Sequence, residues 1–284
     1  MHQRAVARFS GPLRAVVFDW SGTVVDHGCF APAEVFIETF ARQGIAITWQ
    51  QARAPMGLAK LDHIRAILRM PEIAARWRAV TGRDWREEDA RALFEATLEV
   101  QIAATLRHAT LIAGAAETVA ACRERGLAIG STTGYARVIM DALAPVAARE
   151  GFAPDAIICP DDVRAGRPAP WMLFRAAERL NVYPPAAIVK VGDTVPDVAE
   201  GINAGAWSVA VSRTGNEAGL SAAEAAILNP AELAARLAPI TARLRATGAH
   251  YVIESVAELP AVIDAINLRL QRGENPYESL PHPS

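Results

Sequence analysis

Apolar residues first gather in RAVVFD (14–19), a short run of β-branched and aromatic positions that predicts a buried strand. From about Ala31 to about Leu106 the repeat lengthens to that of a helix. AEVFIETFARQG, WQQARAPMGLAKLDHIRAILR, PEIAARWRAVTG and EEDARALFEATLEVQIAATLR follow one another with no strand pattern between them. Alternation then resumes. A helix over 114–125 ends at Gly126, a good C-terminal cap. The strand LAIGST, a helix over 136–149, the strand AIIC (156–159) and a helix over 170–180 come next. They are followed by the strand AAIVKVG (186–192), a helix over 196–203 and the strand WSVAV (207–211). A helical tract covers 221–246, and the strand HYVIES and a helix over 257–272 complete the order. The tail ENPYESLPHPS reads as frayed.

Strands that are continuously apolar and alternate with helices predict an α/β fold: a Rossmann-like parallel sheet covered on both faces, with an all-helical insert after its first strand. The boundaries read as a core of 1–27 and 107–284 and an insert of 28–106. In such sheets ligands bind beyond the carboxyl ends of the strands, so the informative residues lie just after each strand. The pattern leaves the role of 213–248 open beyond covering the sheet.

Composition narrows the class. The chain has 284 residues, is 51% hydrophobic and carries a net charge of −2, which offers no electrostatic case for nucleic acid or an anionic membrane. No apolar stretch reaches the length of a membrane span. The opening MHQRAVARFSGPLR is too polar for a signal peptide. Three widely spaced cysteines, Cys29, Cys122 and Cys159, argue against a disulfide framework or a structural zinc site. The expectation is a soluble cytoplasmic protein. Of 29 Lys and Arg residues only two are lysines, Lys60 and Lys190. A codon bias toward arginine is the simpler cause. Yet arginine can neither lose its proton at working pH nor form an imine, so a surviving lysine marks a place where an amine is needed.

Four segments line up at strand ends: FDWSGT with Asp19, GSTTGY with Thr132, Thr133 and Gly134, PDDVRAGRPAPW with Arg167, and VGDTVPD with Asp193 and Asp197. Together they suit phosphoryl transfer. An aspartate attacks phosphorus to form an acyl phosphate. A second carboxylate helps hold Mg²⁺, and hydroxyls and backbone N–H groups take the remaining oxygens. Arg167 neutralises transition-state charge. The order resembles the haloacid dehalogenase superfamily of aspartyl phosphatases, over about residues 14 to 211. The resemblance implies Asp19 as nucleophile; Asp19, the Ser21 carbonyl and Asp193 as Mg²⁺ ligands; Thr133 and Arg167 as phosphate binders; and Asp197 as a supporting acid. Lys190 either neutralises the carboxylates or merely ends a strand. Trp20 reads as packing under the loop or lining the entrance, and Asp26 and His27 as the hinge into the insert.

A phosphatase of that superfamily carries an acid at position 21, two residues after the nucleophile. Serine cannot protonate a leaving group near neutral pH. In RAPMGLAKLDHI (53–64) Met56, Lys60 and His63 fall at i, i+4 and i+7 of one helical face. A lysine on an apolar face beside an imidazole can react as a free amine, although alone the pattern reads more readily as a snorkelling lysine and a surface histidine. The two oddities agree if the bond to break is P–C next to a carbonyl. An imine on lysine accepts the electrons, and the acid is less needed.

DWSGTVVDHGCFAP, PMGLAKLDHI, GSTTGY, DDVRAGRPAPW, KVGDTVPDVAEGINAGAW and GAHYVIESVAELP closely resemble the phosphonatase branch of the superfamily. The resemblance implies hydrolysis of phosphonoacetaldehyde to acetaldehyde and phosphate in 2-aminoethylphosphonate degradation, through a Lys60 imine and an Asp19 aspartyl phosphate. It implies that Met56 and His63 assist Lys60, that Cys29 and Tyr135 line the pocket, and that the protein is a homodimer. Members of the branch usually carry alanine at position 21. Two rivals remain at this point: an ester phosphatase or mutase, and a catalytically silent phosphate binder.

Overall fold

The structure, a computed structural model, describes residues 9–277, except for the side chains of 98 and 99. Residues 1–8 of the polar opening and 278–284 of the tail lie outside the described residues. The first strand, β1 (Ala15–Phe18), is followed by five helices, α1 (Phe30–Arg42), α2 (Trp49–Arg53), α3 (Lys60–Leu68), α4 (Pro71–Thr81) and α5 (Glu87–Arg107). Then come α6 (Ala115–Glu124), β2 (Ala128–Thr132), α7 (Arg137–Arg149), β3 (Ala156–Ile158), α8 (Trp171–Arg179), β4 (Ile188–Gly192), α9 (Val195–Ala204) and β5 (Trp207–Val211). The last elements are α10 (Ala222–Ile227), α11 (Pro230–Ala246), β6 (Tyr251–Ile253) and α12 (Leu259–Gln271).

The strands form one parallel sheet in the order β3-β2-β1-β4-β5-β6. Alternate residues of β1 enter opposite layers. Val16 and Phe18 join Val119, Ile139, Leu143 and Ile266 on one face, while Ala15 and Val17 join Met172, Leu173 and Ala176 on the other. Both faces are therefore dry, which is why the strands are apolar at every position. Trp20 packs beneath the loop after β1, edge-on to Phe152 at 4.9 Å between ring centres.

The helices between β1 and β2 bury an apolar cluster of their own. It includes Phe36 and Phe40 of α1, Ile64 and Ile67 of α3, Trp77 of α4 and Leu93 of α5. The two connecting segments run side by side, with Ile112 N–H donating to the Val24 carbonyl at 2.8 Å and Asp26 N–H to Thr110 O at 3.4 Å. Asp26 and His27 thus lie where the chain passes from β1 into the helical insert. The 221–246 tract is two helices, because Ser221 and Asn229 each cap a new start. The described part of the tail is tied down rather than frayed: Pro276 O meets His250 Nε2 at 2.9 Å, and Glu274 pairs with Arg269 at 2.7 Å.

One expectation fails. Met56 does not share a helix with Lys60. Helix α2 stops at Arg53, Gly57 sits at φ +93°, and α3 begins at Lys60 itself. A side chain at residue 57 would strain that backbone, and its Cβ would lie 2.2 Å from Thr194 Oγ1. The break therefore lets the 54–59 turn dock on the sheet domain.

Candidate active site

The order of the sheet makes β1 and β4 neighbours, at the point where successive connections leave in opposite directions. Asp19 follows β1 and Asp193 follows β4, and the Asp19 N–H donates to Val191 O at 2.8 Å. Carboxylate oxygens of Asp19, Asp193 and Asp197 lie within 4.8 Å of one another. Asp197 is in the first turn of α9, reciprocally bonded to Thr194. Gly192 makes that approach possible, since a Cβ there would fall 2.3 Å from Asp197 Cγ.

Two buried cations serve this cluster. Arg167 reaches Asp19 at 2.7 Å, Asp197 at 2.8 Å and Glu200 at 3.0 Å. Lys190 reaches Asp197 at 2.8 Å and Glu200 at 3.7 Å. Lys190 lies within β4, not at its end, and its ammonium faces these carboxylates. Four buried carboxylates share these two cations, and the imbalance falls on Asp19 and Asp193. Burial and then the Asp197 charge push the Asp19 carboxyl up, against Arg167 and Lys190. Burial, then Asp19 and Asp197, push Asp193 well up. Burial works against the Asp197 charge too, but Arg167 and Lys190 outweigh it and hold that carboxyl down. Hard oxygen donors with unbalanced negative charge suit a small divalent cation. Asp197 is held by both Arg167 and Lys190, and Asp19 by Arg167 alone.

Above the cluster a narrow cavity of about 30 Å³ is lined by Asp19, Ser21, Cys29, Met56, Lys60, Thr133, Gly134, Tyr135, Arg167 and Asp193. Its free volume is small, about that of one or two water molecules. The 54–59 turn forms the roof. Gly134 allows the seal, since a Cβ there would meet Leu58 O at 2.8 Å. Thr133 Oγ1 accepts from the Tyr135 N–H at 3.1 Å. Cys29, at φ +53°, points its thiol at Asp193 Oδ2, 3.4 Å away.

Lys60 is 6% exposed. Its Nζ lies 5.2 Å from the centre of the Phe36 ring and 4.8 Å from that of Tyr135. Burial lowers its pKa to about 8, against the opposing pull of Cys29, Asp19 and Asp26. Its position as the first residue of α3 adds to this, because the positive end of a helix disfavours a cation. Tyr135, also buried, has its phenol pushed well up, by burial first.

His63 is neither on the surface nor in the cavity lining. It is fully buried under Lys60, stacked on Phe36 at 3.9 Å, with Nε2 against Ala52 O at 2.8 Å. Burial and the Lys60 charge hold it well below its ordinary pKa. Its ring is therefore neutral and donates through Nε2. The Ser21 hydroxyl donates to Asp26 Oδ2 at 2.7 Å. Asp26 also accepts from the N–H groups of Phe30 and Ala31 at 2.9 and 3.1 Å, capping α1. Position 21 is thus tied to the hinge.

Sequence reasoning missed Glu200, Asn216 and the hydrogen bonds by which Asp26 holds Ser21 and the start of α1. Glu200 had a signal, since residues 193, 197 and 200 recur at helical spacing. Asn216, whose N–H donates to Asp193 Oδ2 at 2.7 Å, lies in the loop after β5, a strand end that the same rule covers.

Residues 13–205 match the model of the haloacid dehalogenase-like hydrolases. The chain belongs to that family. Among curated members it is 48% identical to a phosphonoacetaldehyde hydrolase of Nitratidesulfovibrio vulgaris over 269 residues, 95% of this chain and 96% of the relative. It is 47% identical to a phosphonoacetaldehyde hydrolase of Bacillus cereus, over 89% of this chain and 96% of that one. The crystal structure of a phosphonoacetaldehyde hydrolase-like protein from Oleispira antarctica superposes with a TM-score of 0.94 at 36% identity, covering 97% of this chain and 100% of that chain. A β-phosphoglucomutase from Clostridium difficile shares the fold alone, with a TM-score of 0.64 at 15% identity over 90% of this chain and 98% of that one. In this haloacid dehalogenase-like hydrolase no described helix is long and apolar enough to cross a membrane.

Proposed function

We propose that the protein hydrolyses the P–C bond of phosphonoacetaldehyde, releasing acetaldehyde and phosphate. The observation that carries the reading is a buried lysine of lowered pKa lining the same cavity as Asp19. The names of relatives 48% and 47% identical support it.

The neutral Lys60 amine adds to the aldehyde carbon and water leaves, giving a protonated imine. Asp19 attacks phosphorus. The P–C bonding electrons move into the imine, so that an enamine departs instead of a carbanion. Protonation of the enamine at carbon and hydrolysis of the imine return acetaldehyde and free Lys60. Water then hydrolyses the aspartyl phosphate to phosphate and Asp19. No proton is needed on the departing carbon while phosphorus is transferred, which is consistent with Ser21 in place of an acid. Asp19, Asp193 and the Ser21 carbonyl would hold Mg²⁺, which supplies positive charge to the phosphoryl oxygens when bound. Arg167 holds Asp19 and adds charge on the same side. Thr133 and Gly134 offer hydroxyl and N–H donors to the phosphoryl group. Asp197 and Lys190 support the cluster from below. Cys29, Met56 and Tyr135 wall the lysine end, and His63 props Lys60 from beneath.

In this reading residues 28–106 form a mobile cap over a core of 1–27 and 107–284. The protein works in the cytoplasm on 2-aminoethylphosphonate-derived substrate and pairs as a homodimer, both by family resemblance. The test is trapping. Incubation with phosphonoacetaldehyde and borohydride, digestion and mass analysis should give a reduced adduct on the Lys60 peptide, absent in Lys60→Arg. No adduct, with brisk hydrolysis of ordinary phosphate esters, would return Lys60 to a binding role.

A further inference from the structure

Arg53 and Asn216 meet across the boundary between the helical insert and the sheet domain, outside the chemistry described above. Arg53 ends α2, three residues before Met56 and seven before Lys60. Its Nη1 donates to Asn216 O at 3.1 Å and Oδ1 at 3.4 Å, and Asn216 Nδ2 donates back to the Arg53 carbonyl at 3.1 Å. The same Nη1 also donates to Gly28 O at the hinge. The guanidinium lies over Phe30 and Trp49, 5.1 and 5.5 Å from the ring centres.

The other end of this contact is the candidate metal site. Asn216 N–H donates to Asp193 Oδ2 at 2.7 Å, and Gly215 sits so close that a Cβ would lie 2.7 Å from Asp193 Cβ. Thr214 ties the same loop to the segment after β1, its hydroxyl donating to Gly22 O at 2.7 Å. The loop that receives Arg53 therefore takes its position from Asp193.

We propose that Arg53 and Asn216 form a latch that holds the insert closed over Asp19 and Asp193 and so sets the approach of Lys60. The proposal rests on the cap reading above. Arg53 and Asn216 are positioning residues, since neither lines the cavity. Opening the insert breaks their reciprocal bonds together and returns both groups to water; closing it restores them together. The grip loop is anchored on Asp193, so what binds there is felt by the latch. The coupling runs from core carboxylate to Asn216 to Arg53 to the turn that carries Lys60.

Hydrogen exchange on the full-length protein tests this without requiring turnover. Wild type, Arg53→Ala, Arg53→Lys, Asn216→Ala and the Arg53→Ala/Asn216→Ala double variant are each compared with EDTA, with Mg²⁺, and with Mg²⁺ plus orthovanadate. In the wild type, Mg²⁺ and vanadate should slow exchange of residues 54–60 by about tenfold or more. Both alanine variants should lose that protection, with Arg53→Lys keeping part of it. Affinity for Mg²⁺ with vanadate should weaken in the same variants, by no more than the protection they lose, because coupling between the site and the latch is reciprocal. The kcat/KM for phosphonoacetaldehyde should fall about 10- to 100-fold, as expected when a reacting amine is misplaced. The double variant should be no worse than the worse single one, because the pair acts as a unit. Equal protection in all proteins, or losses that add in the double variant, would overturn the latch. If the wild type fails to cleave the phosphonate, the functional reading falls while exchange still decides the latch. If Arg53→Ala does not fold by circular dichroism, Arg53→Lys and Asn216→Ala carry the test.

Discussion

Lys60 of the helical insert places its Nζ 4.8 Å from the centre of the Tyr135 ring, which stands on the loop after β2. A cation in that position has the faces of Tyr135 and Phe36, and the more distant pull of Cys29, Asp19 and Asp26, in place of water. Burial accordingly brings its pKa down to about 8, and the amine is in reach of neutrality at physiological pH.

The pH dependence of trapping follows from that value. Adduct formation at Lys60 should rise about tenfold per unit below pH 8 and level off above it. Lys60→Arg should lose adduct altogether and lower kcat/KM by about a thousandfold or more, about 4 kcal/mol of barrier. A rate that is flat between pH 6 and 9 would contradict the free-amine role.

The same lysine should cost stability. The folded pKa lies below the unfolded one, so between about 8 and 10.5 the unfolded chain binds more protons and stability rises with pH. At pH 7 the full penalty is present. Lys60→Met should therefore be more stable than wild type there, by roughly 1–3 kcal/mol, with the gain shrinking toward pH 10.5. Denaturant melts at pH 7 and pH 10 measure both arms.

Metal removal should expose the charge imbalance around Asp193. Mg²⁺ at about 100 times its dissociation constant should stabilise the wild type by about 2.7 kcal/mol. Asp193→Asn should melt higher than wild type in EDTA and respond little to Mg²⁺. The wild-type carboxyl is raised in the fold, so its stabilising contribution is present below the ordinary value of 3.8 and is lost as pH rises. The advantage of the variant should widen with pH. Thermal melts with EDTA and with Mg²⁺ check both.

Position 21 should not be convertible to an acid. Ser21→Ala loses one hydrogen bond to Asp26 and should cost about 0.5–1.5 kcal/mol with turnover largely kept. Ser21→Asp sets a second carboxylate against Asp26, already raised mainly by burial, and should destabilise by about 2 kcal/mol or more without gaining ester hydrolysis. Robust activity of Ser21→Asp on ordinary phosphate esters would refute the hinge assignment of that side chain.

The seal at Gly134 gives a steric prediction. Gly134→Ala brings a methyl against Leu58 O, so the sheet domain should fold normally while the insert stands off. Melting should change by less than about 1 kcal/mol, with kcat/KM down about 10- to 100-fold and Lys60 trapping slowed in proportion.

The alternation of apolar strands with helices, the insert after β1, and the carboxylates at the ends of β1 and β4 were all legible in the sequence. Each depends on local periodicity or on the rule that parallel sheets bind at their carboxyl edge. Lys60 was legible for a chemical reason, as one of two lysines in a chain rich in arginine. The reach of tertiary structure begins where groups far apart in the chain share one low-dielectric site. Burial of Lys60 against Tyr135, the neutral stack of His63 on Phe36, the break that separates Met56 from α3, and the grip of Asn216 on Asp193 all come from residues that meet only after folding. A local pattern can name the groups that ionise or attack. The free energy of their charges depends on which neighbours exclude water from them, and that is a property of the packed chain.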